Sequence, residues 1–145
     1  MERKSMFGMK AWAPALVLAA VLVVVVASVG FGQGATSRVS FADDIVPMFV
    51  ASCTSCHGGE SPSASLNLET NAYDNLVGVY STRVEPQMMF VKAGDPANSY
   101  LVHKLQGTHE AVGGRGQRMP RNAEPWTDEQ MELIIRWISE GALNN

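Results

Sequence analysis

Apolar and polar positions divide this chain into two unlike parts. From Ala11 to Val29 the sequence AWAPALVLAAVLVVVVASV is uncharged for 19 residues, and every long apolar run of the protein lies in it. Beyond it, apolar residues recur at short helical intervals between small and polar stretches. Phe41, Ile45 and Phe49 return every four residues and so share one helical face. Ser40 and Asp43 form S-x-x-D, a helix-start signal, and Pro47 is expected to kink or restart the helix. That helix is expected to run into Cys53-Thr54-Ser55-Cys56-His57 and to end in a left-handed cap at Gly58 and Gly59. Residues 58–68 are small and polar, hence loop. Thr70 or Asn71 can cap a short helix carrying Tyr73, Leu76 and Val77. Residues 78–94 read as irregular or briefly extended, with Met88, Met89, Phe90 and Val91 as a small apolar run of core character. Asp95-Pro96 opens a helix with Tyr100, Leu101 and Leu105, which stops at Gly107. Residues 107–126 form a stretch rich in Gly, Arg and Pro, and a loop of that length in a small domain is usually functional or disordered. Thr127 with Gln130 is a capping box for a last helix. Its apolar side is Met131, Ile134, Ile135 and Ile138, flanked by Trp137, and Gly141 ends it. The pattern predicts an all-α domain of about four short helices, with long loops and little sheet.

Size and charge narrow the picture. The chain has 145 residues, and 113 remain beyond residue 32, enough for one domain of ordinary size. A domain of that size buries one modest core, which a large cofactor would help to fill. The absence of a G-X-Y period, of heptads and of apolar poverty excludes collagen-like, coiled-coil and disordered classes. One stretch alone is long enough to cross a bilayer, which excludes a multi-span membrane protein. Residues 1–32 carry a net charge of +2 and the remainder −5. An acidic domain suits a phosphate backbone poorly, so no nucleic-acid partner is expected.

Residues 1–32 are expected to be a signal peptide or an N-terminal transmembrane anchor. Arg3, Lys4 and Lys10 precede the apolar run and favour keeping that end in the cytoplasm. A cleaved signal wants an apolar region of about 7 to 15 residues followed by small residues, whereas an anchor wants about 17 to 25. Residues 11–29 fall in the anchor range, Pro14 could shorten them, and Trp12 sits where an interfacial aromatic would. The segment after them offers small residues without a clean A-x-A. Both alternatives put the folded part on the extracytoplasmic, periplasmic side, after a linker at 33–39 and with the domain at 40–145.

Cys53-Thr54-Ser55-Cys56-His57 is C-x-x-C-H, the attachment signature of a c-type haem. Cysteines three apart lie about one helical turn apart, on one face. Each can form a thioether with one vinyl group of the porphyrin, and the next residue, His57, then supplies a nitrogen ligand to iron. These are the chain's two cysteines, so no third thiol competes. Three rival chemistries use the same residues. A disulfide between Cys53 and Cys56 would close a very short loop and leave His57 idle. A thioredoxin-like pair needs a preceding strand in a βαβ setting, where a helix is expected here. A zinc site could draw on Cys53, Cys56, His103 and His109, although the pairs are far apart for a finger.

A six-coordinate electron-transfer haem takes Met or His opposite the first His. Met48 shares the helix of the attachment motif, Met131 belongs to an apolar helix face, and Met88 and Met89 lie in an apolar run. Met119 differs: it follows Gly113, Gly114 and Gly116, which allow close approach, and precedes the stiffening Pro120. Met119 is the expected sixth ligand, His109 the better histidine alternative, and His103 a solvated histidine. Arg115, Arg118 and Arg121 flank Met119 and are candidate contacts for the haem propionates or plain surface charge. Trp137, Phe49, Phe41 and Tyr100 are expected to be core residues.

Taken together, the residues resemble the monohaem class I cytochromes c over Phe41 to Ala142. The motifs are Ile45-Val46-Pro47-Met48-Phe49, Cys53 to Gly58, Gly94-Asp95-Pro96-Ala97-Asn98-Ser99, Arg118-Met119-Pro120, and Ile134-x-x-Trp137-Ile138-x-x-Gly141-Ala142. They look closest to a bacterial subgroup. The resemblance implies a cytochrome c-like bundle around one covalent haem c held by Cys53 and Cys56 and ligated by His57 and Met119. It implies one-electron transfer in a respiratory or photosynthetic chain, as a carrier or complex subunit rather than an enzyme. Its partners would be redox proteins or a membrane electron-transport complex. The alternative is a haem-based ligand sensor or haem enzyme domain with an open sixth position. The segment between His57 and Asp95 departs from mitochondrial cytochrome c, and the acidic domain argues against docking through a lysine ring.

Overall fold

Ser40 opens the helical part as its spacing predicts. Its hydroxyl accepts a hydrogen bond from the Asp43 N–H at 3.1 Å. A computed structural model describes residues 37–145, so the expected signal or anchor, with most of the linker, lies outside the described residues. Among these residues there are four α-helices: α1 Val46–Ser52, α2 Ala72–Leu76, α3 Tyr100–Gln106 and α4 Asp128–Ser139. A π-turn at Phe41–Ile45 and 3-10 turns at Ser63–Ser65, Pro96–Asn98 and His109–Val112 join them. Extended pairing is limited to isolated bridges such as Val77–Val91 and Tyr80–Met89. The described part is therefore all-α. Among the described residues no helix is long and apolar enough to cross a membrane.

Pro47 restarts the helix. The Ile45 and Val46 N–H groups bond five residues back, to Ser40 O at 3.3 Å and to Phe41 O, and the regular helix begins around the proline, whose missing N–H falls in a first turn that needs no donor. Phe41, Ile45 and Phe49 are buried, as their four-residue spacing predicts. The core forms where they meet α4. Phe41 stacks on Trp137 with ring centroids 5.1 Å apart, and Trp126 stacks on Phe49 at 6.3 Å. Trp137 was expected to flank the apolar side of α4. As expected of a core residue it is fully buried, with Ile134 and Ile138, and its indole N–H donates to Leu143 O at 2.9 Å, which satisfies its polar end. Met88 and Met89 are half-buried rather than core, and Val91 beside them is fully buried.

Two helix boundaries differ from the sequence pattern. α1 stops at Ser52, before the cysteine motif. The Ser52 and Thr54 hydroxyls turn back onto the carbonyls of Met48 and Val50, and Thr54 N–H reaches five residues back to Phe49 O, which loosens the last turn. α3 begins at Tyr100 rather than at Pro96. Asp95 caps a short turn, and the buried Ser99 is held extended by accepting from Lys92 N–H and donating to Asp95 O, both at 2.9 Å. Gly107 ends α3 with φ 78°, a left-handed position that suits glycine.

α4 carries both halves of the predicted capping box: Thr127 accepts from Gln130 N–H and Gln130 returns the bond to Thr127 N–H. Thr127→Ala should therefore lower unfolding free energy by about 1 kcal/mol in denaturant titration. At the other end of α4, Glu140 receives the Arg136 guanidinium and Val39 N–H, both at 2.8 Å. The Arg136 bond, and then the backbone one, hold its carboxyl below the ordinary value near 4.5. A lowered folded-state value makes this contribution fully present above about pH 4.5 and removes it as pH falls through the lower folded value. The unfolding midpoints of wild type and Glu140→Gln should differ at neutral pH and converge as the buffer is taken down through pH 4.

Candidate functional site

The turn that replaces the end of α1 carries the chemistry. Cys56 and His57 N–H groups both bond to Cys53 O, at 3.1 and 2.8 Å, so residues 53–57 form one tight coil. Gly58 follows because the chain passes close to Thr54 there: a Cβ would meet Thr54 O at 2.5 Å. Residues 59–68 then fold back over the coil, fixed by Ser63 N–H to Cys56 O at 2.9 Å and Leu68 N–H to His57 O at 2.6 Å. This return brings Leu66 O within 3.3 Å of His57 Nδ1. A carbonyl can only accept, so Nδ1 carries the proton and Nε2 keeps its lone pair.

Cys53, Cys56 and His57 line one cleft of about 760 Å³. That size falls in the range of roughly 300–1,000 Å³ found for pre-formed ligand and cofactor sites. Met119, 62 residues along the chain from His57, lines the same cleft, as do Arg115 and Arg121. Leu66, Leu68, Phe90, Leu101 and Leu105 give it an apolar wall. Both cysteines are free thiols, Cys53 half-buried and Cys56 exposed. Burial pushes the Cys53 thiol above its ordinary value, and the Ser52 hydroxyl 3.6 Å away partly opposes the shift. Ser52 is itself fixed by Trp126, whose indole N–H donates to its oxygen at 3.0 Å.

The other candidates lie elsewhere. Arg118, with its two neighbours a candidate for the propionates or plain surface charge, does not line the cleft. Its guanidinium turns onto its own loop, donating to Met119 O at 3.2 Å and Ala123 O at 2.9 Å, because the chain reverses at that point and presents those carbonyls. Met48 and Met131 pack against the core and, like Met88 and Met89, are not on the cleft. Both ring nitrogens of His103 are engaged, by Thr108 Oγ1 at 2.8 Å and Ala97 O at 3.0 Å. His109, the better histidine alternative to Met119, is 3% exposed, with Nε2 2.7 Å from Gly116 O, and it too is off the cleft. The set proposed for zinc is thus not assembled, and among the described residues no group of three or more His, Cys, Asp and Glu is placed to hold a metal ion. The thioredoxin-like alternative fails on its own requirement, since helix α1 and not a strand precedes the motif.

Tyr100, expected in the core and against one haem face, lines the cleft, as do Arg83 and Lys104, which the sequence pattern missed. Tyr100 donates its hydroxyl to Arg83 O at 3.0 Å, and burial raises its phenol above the ordinary value. Burial, and after it the charge of Arg83, lowers the Lys104 ammonium below its own. Tyr100 and Lys104 stand four apart on α3, so one helical face presents both to the cleft, a signal available once α3 is known to border it. Arg83 lies in an irregular segment and had no local signal. Among the described residues no acidic side chain lines the cleft. It therefore combines two thiols, an imidazole with a free nitrogen, a thioether, an apolar wall and a cationic side. Compared with protein-family models, curated proteins and solved structures, the chain gives no match.

Proposed function

We propose that residues 40–145 are a cytochrome c-like domain that carries one electron at a time through a single covalent haem c. The observation that supports this most is that Cys53, Cys56, His57 and Met119 all border one apolar cleft. The donor set fits such a group. When bound there, the haem supplies an iron couple that exchanges one electron between Fe(II) and Fe(III). Cys53 and Cys56 would hold it through two thioethers, each formed by adding S–H across one vinyl double bond with no net oxidation. His57 ligates iron through Nε2, and Leu66 O fixes the ring for that task by occupying Nδ1. Met119 would supply the second iron ligand, and a His/Met pair favours the reduced state. The apolar walls exclude water, which limits the reorganisation an electron exchange demands. Arg115 and Arg121, with Arg83, line the cleft and would pair with the anionic propionates.

Residues 11–29 would export the domain to the extracytoplasmic, periplasmic side and then either anchor it or be removed with a signal peptide. The partners would be redox proteins or a membrane electron-transport complex of a respiratory or photosynthetic chain, with this chain as carrier or subunit. Visible spectroscopy of the purified protein tests the proposal against a sensor or enzyme domain with an open sixth position. A carrier shows a weak far-red sulfur-to-iron band when ferric and resists carbon monoxide when ferrous. Immediate binding of carbon monoxide would favour the open-site alternative.

A further inference from the structure

The loop that carries Met119 is held in an unusual way. The carbonyls of three successive residues, Arg115, Gly116 and Gln117, all accept hydrogen bonds from side chains of the segment spanning α3 and the turn after it. Lys104 Nζ donates to Arg115 O at 3.2 Å and also to Gln117 O, and His109 Nε2 donates to Gly116 O at 2.7 Å. The backbone adds a fourth tie, from Met119 N–H to Lys104 O at 2.9 Å. Lys104 therefore grips the loop from both its backbone and its side chain.

Neither side chain is explained by a simpler role. Among the described residues the ion pairs are Lys92–Asp95 and Arg136–Glu140, and Lys104 joins neither. Its ammonium is directed at loop carbonyls instead, bonds strengthened by the charge on the donor. His109 is buried, and its Nδ1 has no hydrogen-bond partner. A buried unpartnered nitrogen is unfavourable, and an apolar residue would fill that core position without it. What the imidazole adds is the bond to Gly116.

We infer that Lys104 and His109 are positioning residues that together clamp residues 115–117 and so keep Met119 on the cleft. The inference rests on the proposed role of Met119 as an iron ligand. Releasing the clamp frees the loop, and the sixth position becomes open to outside ligands.

The test uses the full chain with haem attached. Lys104→Met removes the ammonium and keeps the stem, and His109→Leu removes the donor and keeps apolar volume. Lys104→Arg and His109→Gln each retain an N–H donor. Arg136→Met breaks an ion pair of α4 that does not line the cleft, and so reports the effect of lost stability alone. The ferric far-red band, the rate of carbon monoxide binding to the ferrous form and the thermal midpoint are read for each. The Lys104→Met/His109→Leu double variant should lose most of the band and bind carbon monoxide at least ten-fold faster than wild type. The donor-retaining variants and Arg136→Met should behave as wild type in both. Leucine also removes the unpartnered nitrogen, so a mere core role for His109 predicts no loss of the band at all. A double variant with the wild-type band and carbon monoxide resistance would overturn the clamp and leave Met119 ligation intact. A wild-type protein with covalent haem but no far-red band would overturn both. An effect of Arg136→Met equal to that of the double variant would reduce the clamp to general stability.

Discussion

Cys53→Ala/Cys56→Ala should abolish all colour that survives denaturation on the polypeptide, where wild type keeps it. In the proposed haem site, iron–ligand bonds from His57 and Met119 would yield when the fold is lost, and thioether bonds would not. The same variant should also be much less stable. Without a tethered group, the apolar wall of a cleft of about 760 Å³ has nothing to pack against. At about 24 cal/mol per Å³, even a quarter of that volume left uncollapsed is worth about 4–5 kcal/mol. For a domain of this size that corresponds to a fall in Tm of roughly 15–30 °C. Differential scanning calorimetry of the two proteins checks the magnitude. Equal midpoints would mean that the cleft closes on itself and that nothing fills it in wild type.

Met119→Ala should leave attachment untouched and change the iron site. The Cys53–His57 coil and its cover at residues 59–68 make no hydrogen bond to the Met119 loop, so haem content should match wild type. With no thioether left, the far-red band should vanish, the reduction potential should fall, and carbon monoxide should bind the ferrous protein at least ten-fold faster. Axial-ligand identity contributes to a span of about 0.8 V among haem proteins, which makes the potential a sensitive readout. If band and carbon monoxide resistance both persist, the sixth ligand is another methionine; resistance without the band points to a histidine. His109 is then a poor candidate, since its Nε2 is engaged with Gly116 O and it does not border the cleft. A sixth ligand from that ring would require the loop to rearrange.

The sequence was informative wherever a short-range rule decides structure. The Ser40 cap, the Thr127–Gln130 box, the Gly107 stop and the four-residue spacing of Phe41, Ile45 and Phe49 each involve neighbours within one turn, and each is present. The sequence misled where side chains compete with the helix. Ser52 and Thr54 end α1 early by bonding back to Met48 and Val50, and buried Ser99 separates the Asp95 turn from α3. Contacts across long separations left no trace to read. Nothing local marks Leu66 O as the partner of His57, Arg83 as a wall of the cleft, or Lys104 as the holder of a loop more than ten residues away. Arg118 looked equivalent to Arg115 and Arg121 by spacing, and only the reversal of the chain after Met119 sets it apart. Net charge misled in the same way. Among the described residues, a domain of −5 places four cations and no carboxylate around its cleft.

The most direct measurement is the intact mass and visible absorbance of the full chain under denaturing conditions, after production with haem-attaching maturation machinery. The mass should equal the polypeptide plus one haem, with the colour retained on the chain. A folded, colourless protein with the mass of the polypeptide alone would contradict the proposed function.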